Sequence, residues 1–391
     1  MPMYQVRGEV PRKRHTQLWR NGRLLSEEVM GLEGFSGNET ILYHLETPCR
    51  IAEAVRFEPI RREEWVPEQH VHRHLKTGPA EAFGDEVSGR RLLMWNGDVE
   101  IALCRPAVQM DYFYRNGEGD EVIFVHEGEG TVETILGDVP YRAGDYIVVP
   151  RGITYRFRAI GPQRYLVFTS PGQIEIPRRY RNEYGQLLEH APYYNRDIHP
   201  VTDLRTHDQR GEYTVKVRVR DGHQVYLLDY HPFDVVGWDG YVYPWTFNIE
   251  DFEPLAKMVH MPPHAHQTFD GRNFVICSFC PRKLDWHPQA LAVPYVHSNV
   301  NSEEMMYYVG GNYAARRGIE VGSITLHPSG VPHGPQPGQA EKTLGATETN
   351  ELAVMCDTFQ PLRLGRFAQE LEDPAYAYSW NPERQAAVSP S

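Results

Sequence analysis

The chain has 391 residues, more than the roughly 100–200 of a usual single domain, so two units with separate cores are expected. A formal charge of −12 excludes a general nucleic-acid binder, which would carry a basic domain, and favours small-molecule partners. No stretch approaches the ~18 apolar residues of a membrane span, and MPMYQVRGEVPRKRHTQLW lacks the apolar core of a signal peptide, so a cytoplasmic protein without a membrane partner is expected.

Short β-rich runs such as VEIALC, YIVVP and RYLVFTS stand between turn residues, in a chain with 33 Gly, 30 Pro and 23 Tyr. That texture predicts an all-β-dominated fold with long loops and few helices. In chain order, EQHVHRHLKT comes first among the segments with chemical content. It sets His70, His72 and His74 at alternate positions, which aligns three imidazoles on one strand face. No carboxylate accompanies them at ligand spacing, so a surface or subunit-contact strand is the favoured reading.

YRNGEGDEVIFVHEG follows, with Tyr114, Asn116, Glu121 and Gly128, and then GDYIVVPRGITY, running from Gly144 to Tyr155. HMPPHAHQTF carries His260, His264 and His266, and its prolines predict a loop. The five cysteines at 49, 104, 277, 280 and 356 are too scattered for a disulfide framework. Cys277 and Cys280 form a CxxC in the strand-like FVICSFCPR, without the second pair that a zinc ribbon needs.

HSNVNSEEMMYYVGG then repeats the earlier pattern. Counting back from Gly311, Glu304 is seven residues earlier, Asn299 twelve and His297 fourteen; counting back from Gly128 gives Glu121, Asn116 and Tyr114. GSITLHPSGVPH repeats the spacing of GDYIVVPRGITY and ends on His333 where the first copy has Tyr155. The paired motifs resemble the signatures of the cupin superfamily, HxH/N-x(3,4)-E-x(6)-G and G-x(5)-P-x-G-x(2)-H, which lie on neighbouring strands of a small jelly-roll barrel. The resemblance implies a bicupin. Residues 1–175 would hold the N-terminal region and a metal-free barrel, 176–215 a connection, and 216–391 the metal-bearing barrel and a tail.

His297 and Asn299, two apart, point to one side of a strand, and the residues before Glu304 can turn a carboxylate back to that side. With His333 they make a two-histidine, one-carboxylate set suited to Fe(II). Glu304 is favoured because both the repeat and the x(6)-G spacing select it; Glu303 stays open as the alternative. Tyr114 and Tyr155 replace both histidines in the first copy, and phenols are poor ligands for a divalent metal, so one metallated barrel is expected.

Seven segments together resemble the homogentisate 1,2-dioxygenase family, in its shorter microbial form. They are GEVPRKRHTQLW, GFSGNETILYHLETP, RYRNEYGQLLEHAPYYNRDI, HPFDVVGWDGYVYPWTFNIEDF, HQTFDGRNFVICSFCPR, VPYVHSNVNSEEMMYYVGGNY and GSITLHPSGVPHGP. The resemblance implies an Fe(II) enzyme that opens the ring of homogentisate with O2 to give maleylacetoacetate, in tyrosine and phenylalanine breakdown. Longer members carry a one-glutamate HRNxxSE motif, so Glu303 matches when counted from His297 and Glu304 when counted from Gly311. By the same carry-over Tyr313 lies near the substrate carboxylate, Arg316 stands where longer members have lysine, and His327 is a pocket histidine. The acid–base histidine falls in the segment before QTF and is taken as His266, with His260 and His264 as alternatives. For Arg316 and Arg317 the competing reading is a solvated surface pair. The expected partners are a small aromatic acid and O2, with self-association into a homo-oligomer. The competing functions are a cupin dioxygenase for another hydroxylated aromatic acid, such as a gentisate-like one, and a metal cupin acting as an isomerase or binding protein.

Overall fold

The computed structural model describes residues 3–259, 266–313 and 315–388. Strands account for 44% of it and short helices for 7%, so the all-β expectation holds. No helix among the described residues is long and apolar enough to cross a membrane.

The first large sheet is built on two long antiparallel strands, Asp120–Thr134 and Thr154–Ser170, in register from Asp120 opposite Ser170 to Thr134 opposite Tyr155. Val122, Ile123, Phe124 and Val125 are buried on both faces, which is why the run is continuously apolar instead of alternating. Strands Arg90–Trp95, Glu100–Cys104, Asp145–Val149 and Trp245–Asn248 extend this sheet. Phe113–Asn116 pairs with the start of Thr154–Ser170 and runs parallel to Arg210–Val219, which forms a hairpin with Gly222–Tyr230.

The second sheet has six strands in the order Gln267–Gly271, Phe274–Phe279, Leu352–Thr358, Glu303–Gly310, Ser323–His327 and Arg73–Lys76. Its last strand comes from the N-terminal region. Conversely, strands between residues 222 and 248 of the segment grouped with the C-terminal barrel pair in the first sheet or in a small sheet with Glu39–His44. One continuous buried cluster runs from Phe124 and Phe168 of the first sheet to Met305 and Ile324 of the second. At roughly 1.5–3 kcal/mol for each large apolar side chain buried, that shared core holds the two sheets together. Polar ties cross it as well: Tyr307 Oη meets His126 Nδ1 at 2.6 Å, and Tyr146 Oη meets Ser278 Oγ at 2.8 Å.

Candidate metal centre

The sequence repeat is a repeat of backbone geometry. In the first sheet Tyr114 pairs antiparallel with Tyr155; in the second, His297 pairs antiparallel with His333 through reciprocal N–H···O bonds of 2.8 Å each. Glu121 faces Val149 and Thr169 on its neighbouring strands, and Glu304 faces His327 and Asp357. The glycines that close both motifs have positive φ, +106° at Gly128 and +84° at Gly311. A Cβ on Gly311 would come within 1.9 Å of Asn350 O, so the spacing is a backbone requirement. His297 does not lie on a regular strand as expected; it sits on an isolated bridge, and the chain then turns before the strand Glu303–Gly310 begins.

His297, Glu304 and His333 converge, each offering one ligand atom within 4.8 Å of the others. Glu304 Oε2 lies 3.7 Å from His297 Nε2 and 3.5 Å from His333 Nε2. Each histidine donates its Nδ1–H to a backbone carbonyl, His297 to Tyr295 O at 3.1 Å and His333 to Val331 O at 3.2 Å. Those bonds fix the tautomer and turn both Nε2 lone pairs toward the carboxylate. His333 Nε2 is buried and has no hydrogen-bond partner among the described residues. Such an atom is costly unless something fills its lone pair, and a divalent first-row ion held by two imidazoles and a carboxylate fits these three donors.

Alternation along the strand separates the two glutamates. Glu303 points to the opposite side, where its carboxylate accepts the Leu362 N–H at 2.8 Å. Glu304 is held by His327, whose Nδ1–H donates to Oε1 at 2.7 Å. Burial pushes the His327 pKa down to about 3 in spite of Glu304, so this imidazole is neutral and the bond is a fixed donor to a carboxylate. Burial works against ionising Glu304, but the three imidazoles around it, with His327 donating a hydrogen bond, outweigh it and hold the carboxyl well below its usual range. Asp357, opposite on the next strand, is driven the other way by burial and by the charge of Glu304. His327, expected to contact substrate, has its Nδ1–H committed to Glu304 and orients that carboxylate.

The first copy of the site is occupied by a side-chain cation. Arg90 donates to Glu121 at 2.6 Å, Asn116 Nδ2 donates at 3.0 Å, and the Tyr155 hydroxyl completes the set. The Arg90 guanidinium thus stands as a built-in positive charge on the carboxylate that corresponds to Glu304.

A cavity of about 440 Å³ is lined by two of the three donors, His297 and Glu304, and by Gly334, the neighbour of the third. Its wall includes His266, Tyr308, Tyr313 and Arg316, with Phe279, Met306 and Met355 supplying apolar surface. His266 stacks on Phe279 with ring centroids 4.4 Å apart. Arg316 is no surface residue: its guanidinium donates to Gly334 O and faces the Trp380 ring at 5.5 Å, while Arg317 is exposed. The Tyr313 hydroxyl donates to Leu352 O at 3.3 Å, and its ring meets Tyr308 edge-on. His260 and His264 lie outside the described residues. Cys277 and Cys280 are buried free thiols whose pKa values burial raises, Cys280 up to about 12, with no part in the site.

The histidines dismissed from EQHVHRHLKT are the main omission of the sequence reading. His74 is buried and bonds Ser323 Oγ at 2.8 Å, and His72 is buried against the rings of His327 and His333. Of the three, only His74 lies on a strand, Arg73–Lys76, and its pairing with Ser323–His327, about 250 residues away in sequence, reveals what covers it. Tyr376 and Trp380, near the end of the described chain, also reach the site and carry no motif.

Family sequence models match in two successive blocks. That for the N-terminal part of homogentisate 1,2-dioxygenase matches residues 54–249, and that for its C-terminal part matches residues 247–386. The chain is 40% identical to a candidate dioxygenase of Saccharolobus solfataricus over 384 residues, 97% of this chain and 99% of the relative. It is 25% identical to the homogentisate 1,2-dioxygenase of Sinorhizobium fredii, over 81% of this chain and 76% of that one. The Emericella nidulans enzyme of the same name gives 25% identity over 82% and 78%. Since these matches run through both sheets and through the donor-bearing strands, the chain belongs to the homogentisate 1,2-dioxygenase family and is a dioxygenase.

Proposed function

We propose that the chain is an Fe(II)-dependent homogentisate 1,2-dioxygenase that converts homogentisate and O2 to 4-maleylacetoacetate in tyrosine and phenylalanine catabolism. The observation that carries this reading is a two-histidine, one-carboxylate donor set, two of whose members line a cavity of about 440 Å³ with a half-buried arginine on its wall. The volume suits a single-ring ligand. His297, Glu304 and His333 would hold the iron on one face. When bound, Fe(II) supplies a redox-active centre for a reaction between triplet O2 and a singlet aromatic that is otherwise spin-restricted.

The chain's own groups do the rest. Arg316 lines the cavity, so its guanidinium offers a charge-assisted donor to the acetate group of the substrate. Tyr313, on the same wall, flanks that position. His266 takes the phenolic proton; a neutral imidazole with a reference pKa of about 6.5 suits that step. His327 keeps Glu304 oriented, and the apolar side of Phe279, Met306 and Met355 limits water around the ring. The test is anaerobic reconstitution with Fe(II) followed by oxygen uptake on a panel of aromatic acids. Rapid uptake with homogentisate is expected; uptake with gentisate and none with homogentisate would move the chain to the competing substrate class.

A further inference from the structure

His333 stands between two carbonyls that are each gripped from outside the central strands of its barrel. On one side, His72 Nε2–H donates to Pro332 O at 3.1 Å. On the other, Trp380 Nε1–H donates to Gly334 O at 3.3 Å, and the Arg316 guanidinium donates to the same oxygen. The His72 and Trp380 rings are in contact, with centroids 4.6 Å apart, so the two grips are joined. His72 precedes the edge strand Arg73–Lys76, and Trp380 follows the short helix Pro374–Tyr378. His70 adds a third hold on the same loop through Ser329 O at 2.9 Å.

Stability alone does not account for His72. Its Nδ1 is buried with no hydrogen-bond partner among the described residues, which opposes folding. Its other nitrogen is spent on the carbonyl next to a ligand.

We propose that His72 and Trp380 are positioning residues for the His333 ligand, forming a clamp that aims its Nε2 at Glu304 before the metal arrives. The clamp draws on an N-terminal segment and on the C-terminal tail, so metal affinity depends on both ends of the chain. Arg316 shares Gly334 O with Trp380, which links the clamp to the cavity wall. The inference rests on the assignment of His297, Glu304 and His333 as the ligands.

The test uses Co(II), which is stable in air, titrated into the full-length metal-free protein and read by its visible d–d absorption and by calorimetry. His72→Leu and Trp380→Leu are expected to weaken Co(II) binding roughly ten- to a hundredfold, the usual range for groups that orient a ligand. His72→Gln, which keeps an N–H near the Nε2 position, should restore affinity to within about threefold. Trp380→Phe keeps the ring contact but loses the N–H, and should fall between wild type and Trp380→Leu. The thermal midpoint of the metal-free protein should not fall in His72→Leu. Wild-type Co(II) affinity in both leucine variants would overturn the proposal. So would equal losses in His72→Gln and His72→Leu that track a lowered midpoint, because the role would then be structural. His297→Ala serves as the control: wild-type affinity in that variant would locate the failure in the ligand assignment.

Discussion

Replacing Arg90 by Met tests whether its guanidinium compensates the charge of Glu121, the counterpart of Glu304 in the first copy of the motif. Arg90 and Glu121 have side chains only 10% and 1% exposed, and the carboxylate also receives Asn116 and the hydroxyl of Tyr155. Removing one partner of such a buried pair leaves an uncompensated charge, which costs about 3–5 kcal/mol. Because Asn116 and Tyr155 remain as donors, the lower end, about 3 kcal/mol, is expected. In wild type the Glu121 pKa is depressed: burial opposes its charge, but Arg90 more than offsets that. Its stabilising contribution is present above the unfolded carboxyl value and lost as pH falls through the depressed one. Without Arg90, burial raises the folded pKa instead, and the carboxyl takes up a proton. The deficit of the variant should therefore be greatest near pH 8 and shrink toward about pH 5. Guanidinium unfolding followed by tryptophan fluorescence at the two pH values measures this, and Arg90→Met with Glu121→Gln should recover at least half the loss. A deficit below about 1 kcal/mol that does not vary with pH would refute the reasoning, since it would mean that Arg90 does not compensate the charge of Glu121.

Glu304→Gln should lose most metal affinity, whereas Glu303→Gln should retain it, since Glu303 only caps the Leu362 N–H; metal content after gel filtration distinguishes them. His44 is bound by both Asp234 and Glu28, and although burial pulls its pKa down, these two push it up to about 9. Relative to His44→Gln, wild type should gain stability that is fully present below about pH 6.5 and is lost as pH rises through about 9, at most about 3 kcal/mol in all, measured by unfolding across that window. Arg316→Leu should raise the KM for homogentisate roughly tenfold or more while leaving that for uncharged methylhydroquinone little changed, as expected for loss of a charge-assisted hydrogen bond worth about 1.5–3 kcal/mol. Steady-state kinetics on the two substrates decide it.

The convergence of His297, Glu304 and His333 was legible because its spacing is enforced by backbone. Gly311 cannot carry a Cβ, and strand alternation puts Glu304 and Glu303 on opposite sides, so a count along the chain finds the carboxylate. The two-copy comparison worked for the same reason, with Tyr114 opposite Tyr155 as His297 is opposite His333. Long-range pairing was not legible. Alternate histidines at 70, 72 and 74 suggest one strand face, but the strand begins only at Arg73, and what packs on it is decided by Ser323–His327, far along the chain. The exchange of strands between the sheets, with Arg73–Lys76 in the second and Trp245–Asn248 in the first, likewise escapes a reading that divides the chain into successive blocks. Arg90 escaped notice because it lies outside both repeated motifs, and Trp380 because a single aromatic in a tail has no periodicity to set it apart.

The most direct measurement combines iron content with oxygen consumption in anaerobically reconstituted protein. The account predicts one iron per chain in wild type and in Tyr155→Ala, none retained in His297→Ala or His333→Ala, and one O2 consumed for each homogentisate only where iron is retained. Two irons per chain after stringent washing, or oxygen uptake with homogentisate that survives in iron-free His333→Ala, would contradict it.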